Sequence, residues 1–214
     1  MKLENIKVYE LEESIIASGY PMRTELNEDI NPNSYKRCYN LTKASNGNGA
    51  HGQWLTGVRV ALDLTCSNKM WVEAERYRFL EFVSSQSTMH RITKFNLDEA
   101  YNEYVDPRVI EIMKEKVAEY NDLCNAIVPQ SCEEMERHNQ LKKQKYLEIL
   151  YTNPAGFELT ARMTTNYRCL LNIYVQRHDH RLPEWREFCQ KLMELPMFPE
   201  LVQAYYDGGL HEEI

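Results

Sequence analysis

The chain carries no phosphate-binding glycine loop of the GxGxxG or GxxxxGK type and no Gly-x-Ser-x-Gly elbow, which disfavours the nucleotide-binding and hydrolase folds built on them. Its six cysteines, at 38, 66, 124, 132, 169 and 189, include no CxxC pair. No signal-peptide pattern precedes them, so a disulfide scaffold is disfavoured and the thiols are expected to be reduced and mostly buried. The opening residues, MKLENIKVYELEE, are charged, and no run approaches the roughly 18 apolar residues of a membrane span. The expected location is therefore the cytoplasm. His178-Asp179-His180 has no Cys pair or HExxH helix beside it, so no metal is assigned. With no internal repeat and no low-complexity linker, a single domain over residues 1–214 is the simplest reading. A basic balance is also missing. The net charge of -7 argues against a general nucleic-acid binder, so an anionic ligand must be met by local arginines.

What the chain does have is enough apolar material for a core, 43% of 214 residues. Asn166 to Glu187, NYRCLLNIYVQRHDHRLPEWRE, organises the rest. Leu170, Leu171, Tyr174 and Val175 recur at the spacing of a buried helix face. Asn166, Arg168, Asn172, Arg177, His178 and His180 are left to point elsewhere. Pro183 restarts a helix just after, bringing a helix C-terminus and an N-terminus together. Such a junction can hold a ligand's polar groups, or be a solvated turn.

Upstream, Ile6, Val8, Ile15 and Ile16 predict an opening strand over 6–19, and a short helix is expected near 34–44. Ser45–Gly52 reads as a flexible turn delivering His51. From Val58 to Cys66 the even positions are apolar, the clearest strand in the chain. Ser67 or Asn68 is expected to cap a helix running to about Val83, which puts Arg76 and Arg78 about 200° apart on its surface. Asp106-Pro107 opens a helix to about Ala126, with a seam of Val109, Ile112, Met113, Val117, Tyr120, Leu123 and Ile127. Ser131 and Glu134 form a capping box for a more polar helix, and Leu182–Leu195 forms another that buries Trp185, Phe188, Leu192 and Met193.

Arg76, Arg78, Arg91, Arg168 and Arg177 are the chemistry-bearing set. Arginine pairs bidentately with phosphate and stacks on flat rings, so they suit a phosphorylated aromatic ligand. Ser84–Arg91, rich in hydroxyls, reads either as a turn or as a phosphate loop. The plain alternative is a structural helical protein whose arginines form ion pairs.

The motif order resembles the flavin-dependent thymidylate synthases. His51 precedes Arg76 at the spacing of that family, Arg76-Tyr77-Arg78 is similar to its Arg-His-Arg triplet, and Asn166-Tyr167-Arg168-Cys169-Leu170 to its late Asn-x-Arg-Ser-Leu helix. Asn172 and Arg177 follow at matching positions. The chain differs at Tyr77, in Ser84–Arg91, where Ser87 and Met89 replace a glutamate and a serine, and at His180, one residue early.

The resemblance implies an α+β fold, with an antiparallel or mixed sheet packed by helices and a helical middle and C-terminal part. It implies reductive methylation of dUMP, or a related pyrimidine nucleotide, to dTMP with FAD, methylenetetrahydrofolate and NADPH, in a homotetramer. By it, His51, Arg76, Arg78, Asn172 and His180 contact FAD. Arg177 binds and polarises the uracil, while Gln86, Ser87 and Arg91, with Arg162 as a further arginine, line the nucleotide phosphate. A flavin- or nucleotide-binding protein without catalysis is the alternative within the same fold.

Overall fold

The computed structural model describes residues 1–26, 29–127 and 131–209. Strand β1 (Lys2–Tyr9) leads into helix α1 (Leu11–Ala17), and α2 (Pro32–Ala44) follows. A 3-10 stretch, Gly49–Thr56, precedes β2 (Arg59–Ser67) and α3 (Asn68–Ala74). Then come β3 (Glu81–Ser85), the one-turn α4 (Thr88–Arg91), and the long helices α5 (Pro107–Asn125) and α6 (Cys132–Thr152). Strand β4 (Glu158–Asn166) passes directly into α7 (Tyr167–Arg177), and α8 (Pro183–Leu192) and α9 (Phe198–Gly209) complete the order.

The four strands form one antiparallel sheet in the order β1-β2-β4-β3. Register between the central pair is fixed at both ends. The Tyr167 N–H donates to the Val58 carbonyl (3.0 Å), and the Thr65 and Thr160 hydroxyls share a hydrogen bond (2.7 Å). Arg59, first in β2, therefore lies across from Asn166, last in β4. The architecture is α+β, with the helical middle and C-terminal part expected from the sequence.

Two elements differ from expectation. The opening strand stops at Tyr9, because Glu10 adopts a left-handed conformation (φ 59°) that turns the chain into α1. Ser14 and Ile15 are then buried, and Glu12 and Glu13 sit favourably in the first turn. The helix expected to reach Val83 ends at Ala74 instead. Tyr77 and Leu80 are buried three residues apart through successive turns, and the chain re-extends as β3 on the sheet edge. Phe82 and Val83 suit a strand better than a helix end.

The chain divides into two compact units. The first comprises Met1–Leu64, Glu73–Ser84 and the chain from Ala161 onward. Its core is the apolar face of β2, with Val58, Val60, Leu62 and Leu64 at most 1% exposed, together with Leu170 and Ile173 of α7 and Trp185, Phe188 and Leu192 of α8. Full burial of each such side chain contributes about 1.5–3 kcal/mol. Asn166 caps α7 by accepting from the Cys169 N–H (2.9 Å), and the Tyr167 hydroxyl donates to the Pro196 carbonyl (2.8 Å). Helices α2 and α9 cross so closely that a Cβ on Gly208 would lie 2.1 Å from the Lys43 carbonyl oxygen.

The second unit comprises Thr65–Val72 and Ser85–Thr160. Its core gathers Ile92, Leu97, Ala100, Met113, Ile149 and Phe157. Of the seam read on α5, Met113 is fully buried, whereas Ile112 and Ile127 are exposed. Asp106 caps α5, and Ser131 caps α6 by accepting from the Glu134 N–H (3.2 Å). No helix among the described residues is long and apolar enough to cross a membrane.

Candidate ligand cavity and its arginines

The first unit contains a cavity of about 910 Å³, within the roughly 300–1,000 Å³ of small-molecule and cofactor sites. The 3-10 stretch Gly49–Thr56 forms one wall. Arg168 fastens it to α7, donating to Gln53 Oε1 (2.6 Å) and to the Gly49 carbonyl (3.0 Å). Gly52 fits because a Cβ there would already stand 3.2 Å from the Ser45 Cβ.

The turn over residues 75–80 supplies a further part of the lining. Arg76 and Arg78 point out on either side of the buried Tyr77, and both border the cavity. A helix would have held them about 200° apart. The helix's early end is what lets both serve one cavity. Arg78 also lies over the Phe79 ring at 5.6 Å. Arg59 reaches the cavity from the end of the sheet, and Asn172, Tyr205 and the carboxylate of Glu81 also line it. Asn172 accepts from Gln176 Nε2 (2.9 Å). Cys169 lines it as well, but burial pushes its thiol up from the ordinary range. The thiolate, the attacking species, is disfavoured there.

Arg177 lies outside the cavity lining, in a tight cage. Its Nε donates to the Tyr77 hydroxyl (2.7 Å), and its Nη1 donates to Glu73 Oε2 (3.0 Å). The guanidinium sits over the Trp185 ring at 5.1 Å and the Tyr77 ring at 5.7 Å. Glu73 Oε2 also accepts from Trp185 Nε1 (3.1 Å), and Tyr77 donates onward to Gln176 Oε1 (3.0 Å). His180 closes the cage, with Nε2 2.7 Å from Arg177 Nη1 and 3.6 Å from Glu73 Oε2. The arginine and glutamate side chains are only 14% and 16% exposed.

The other residues singled out by sequence are dispersed. His51 is exposed on the 3-10 stretch and does not line the cavity. Arg162 is held on the sheet, donating to the Asn5 carbonyl (3.0 Å) and to Asp63 Oδ1 (3.1 Å). The hydrogen bond from the Asn5 side chain, and then that from Arg162, hold the Asp63 carboxyl below the usual carboxylate range. Gln86, Ser87 and Arg91 belong to the second unit. Gln86 extends the β3–β4 ladder, its N–H donating to the Thr160 carbonyl and its Oε1 accepting from the Thr160 N–H, both 2.9 Å. Ser87 precedes α4, and Arg91 is exposed beside His90, Lys94 and Tyr120 in a depression of about 590 Å³. All six cysteines are free, and no cluster of three metal-ligating side chains exists among the described residues. His178 stacks on Tyr174.

Sequence reasoning missed Arg59, Glu73 and Tyr205. In the β2 alternation Arg59 is simply a non-apolar position, and nothing in the sequence joins Glu73 to Arg177.

No family model matches the chain, and no curated protein sequence does. Solved structures do. A flavin-dependent thymidylate synthase ThyX from Helicobacter pylori, complexed with FAD and dUMP, superposes with a TM-score of 0.61 at 16% identity, over 97% of this chain and 99% of that one. A second structure of the Helicobacter pylori ThyX with FAD and dUMP gives 0.63 at 16%, over 96% and 99%. The fold of this chain is that of the flavin-dependent thymidylate synthases.

Proposed function

We propose that the chain is an enzyme of the flavin-dependent thymidylate synthase type that binds FAD in the first-unit cavity and acts on dUMP or a related pyrimidine nucleotide. The observation that carries this reading is the position of Arg76 and Arg78 on one cavity, exposed and with neither side chain committed to a carboxylate among the described residues, in a chain of net charge -7. Two guanidinium groups beside Phe79 and Tyr205 suit a ligand carrying both phosphate and flat rings. FAD fits that donor set.

When bound, FAD supplies the redox chemistry that turns a one-carbon unit from methylenetetrahydrofolate into a methyl group on the pyrimidine, with NADPH as reductant. The residues of the chain bind and orient. Arg76 and Arg78 hold phosphate oxygens, the Asn172 amide contributes a neutral polar contact, and Arg168 keeps the 3-10 wall in place. Arg177, held by Tyr77 and Glu73, is the proposed group that binds and polarises the uracil, and His180 is a proposed flavin contact. Gln86, Ser87 and Arg91, with Arg162, are the proposed nucleotide-phosphate contacts. His51 is a further proposed flavin contact, the proposed assembly is a homotetramer, and the proposed location is the cytoplasm.

A second reading, a flavin- or nucleotide-binding protein without methyl transfer, is favoured by the Arg177–Glu73 ion pair. That pair engages the arginine from which the resemblance would have the uracil polarised.

The visible spectrum of the purified protein with and without FAD, followed by dUMP titration, tests the reading. Flavin bands that shift on dUMP addition support it. A colourless protein indifferent to both ligands overturns it. Rescue of a thymidine-requiring host separates the enzyme from the binder.

A further inference from the structure

Arg59 belongs to none of the motifs named above. It is the first residue of β2, and the strand's alternation sends Val58 and Val60 into the core while Arg59 is exposed on the opposite face. Asp63, four residues further along the same face of β2, is already occupied by Arg162 and Asn5. Among the described residues Arg59 has no such partner, although the chain holds 32 acidic residues against 25 Lys and Arg. In the antiparallel register it lies across from Asn166, the cap of α7, and both line the cavity.

With Arg76 and Arg78 it makes three exposed guanidinium groups on one concavity, opposed only by Glu81. Three arginines exceed what a phosphate monoester needs, since one guanidinium can already engage two of its oxygens in a fork. A diphosphate spreads its anionic oxygens over two phosphorus centres, and so can engage all three. We propose that Arg59 is a specificity-determining ligand contact that makes this cavity select diphosphate-bearing ligands over monophosphates. The proposal rests on the flavin reading for its ligand but not for its chemistry, because ADP and inorganic diphosphate carry the same group.

The experiment compares wild type, Arg59→Gln and Arg59→Lys in titrations with FAD, FMN, riboflavin, ADP and inorganic diphosphate, by flavin fluorescence and calorimetry. Arg59 is exposed and leaves no buried partner behind, so Arg59→Gln melts where wild type does. Wild type binding FAD more tightly than FMN, with Arg59→Gln weakening FAD about tenfold or more and bringing it level with FMN, supports the proposal. Arg59→Lys retains part of the preference. Equal FAD affinity in wild type and Arg59→Gln overturns it while leaving the flavin reading standing. Binding of ADP and diphosphate that depends on Arg59, without any flavin binding, supports the proposal and overturns the flavin reading. A wild-type protein that takes none of the diphosphates overturns both.

Discussion

Arg177 Nη1 donates to Glu73 Oε2 at 3.0 Å, joining the last turn of α7 to the end of α3 with both side chains mostly out of water. An ion pair in that position makes its removal costly, since each charge left alone has lost its solvent. Arg177→Ala is expected to destabilise the protein by about 3 kcal/mol, and Glu73→Ala by a similar amount. The double variant should lose clearly less than the sum of the two single losses. Urea titrations of the four proteins measure this. Additive losses would show that the pair contributes little.

Arg76→Gln and Arg78→Gln should each lower FAD affinity about tenfold or more while leaving the melting temperature within a degree or two of wild type, because both side chains are exposed and the turn is held by Tyr77 and Leu80. Calorimetry with FAD checks the first half and thermal melts the second. A large loss of stability instead would place these arginines in the structure and not in the site.

Much of the fold was legible because its cues are local. Alternation marked β2, proline and capping residues marked the starts of α5, α6 and α8, and of the seam read on α7 Leu170 and Leu171 are buried while Tyr174 and Val175 are only partly so. The end of α3 was not legible, because Glu75 to Val83 carries no strong breaker, and the sheet edge, a distant partner, decides its conformation. The same holds in the site. Arg76, Arg78, Arg168 and Asn172 line the cavity, while Arg177 and His180 close on Glu73, a residue about a hundred positions earlier that no spacing rule connects to them.

The acid limb of stability should carry the signature of Asp63. Its carboxyl is held below its ordinary value of 3.8, first by the hydrogen bond from Asn5 and then by that from Arg162. A carboxylate with a depressed folded value contributes stability above its unfolded value, and the contribution is lost as pH falls through the folded value. Asp63→Asn should therefore cost stability near neutrality and flatten the fall in melting temperature below about pH 4. Parallel melts across pH 2.5–7 read the two slopes. Identical slopes would mean the carboxylate is equally solvated folded and unfolded.

Tyr77 stands where the resemblance has histidine, and its hydroxyl both accepts from Arg177 Nε and donates to Gln176 Oε1. Its ring is 7% exposed and meets Trp185 edge-on at 5.8 Å. Tyr77→Phe keeps that ring contact and removes the bridge, so it should cost about 1–2 kcal/mol in urea titration. Tyr77→His shortens the side chain and withdraws the hydroxyl from Arg177, leaving the arginine tethered by Glu73 with Nε unpaired. If Tyr77 is what fixes the guanidinium, both variants loosen it, and the nitrogen-bound proton resonances of Arg177 should broaden or exchange faster in each. Unchanged resonances in both would assign the fixing to Glu73 and the Trp185 face alone.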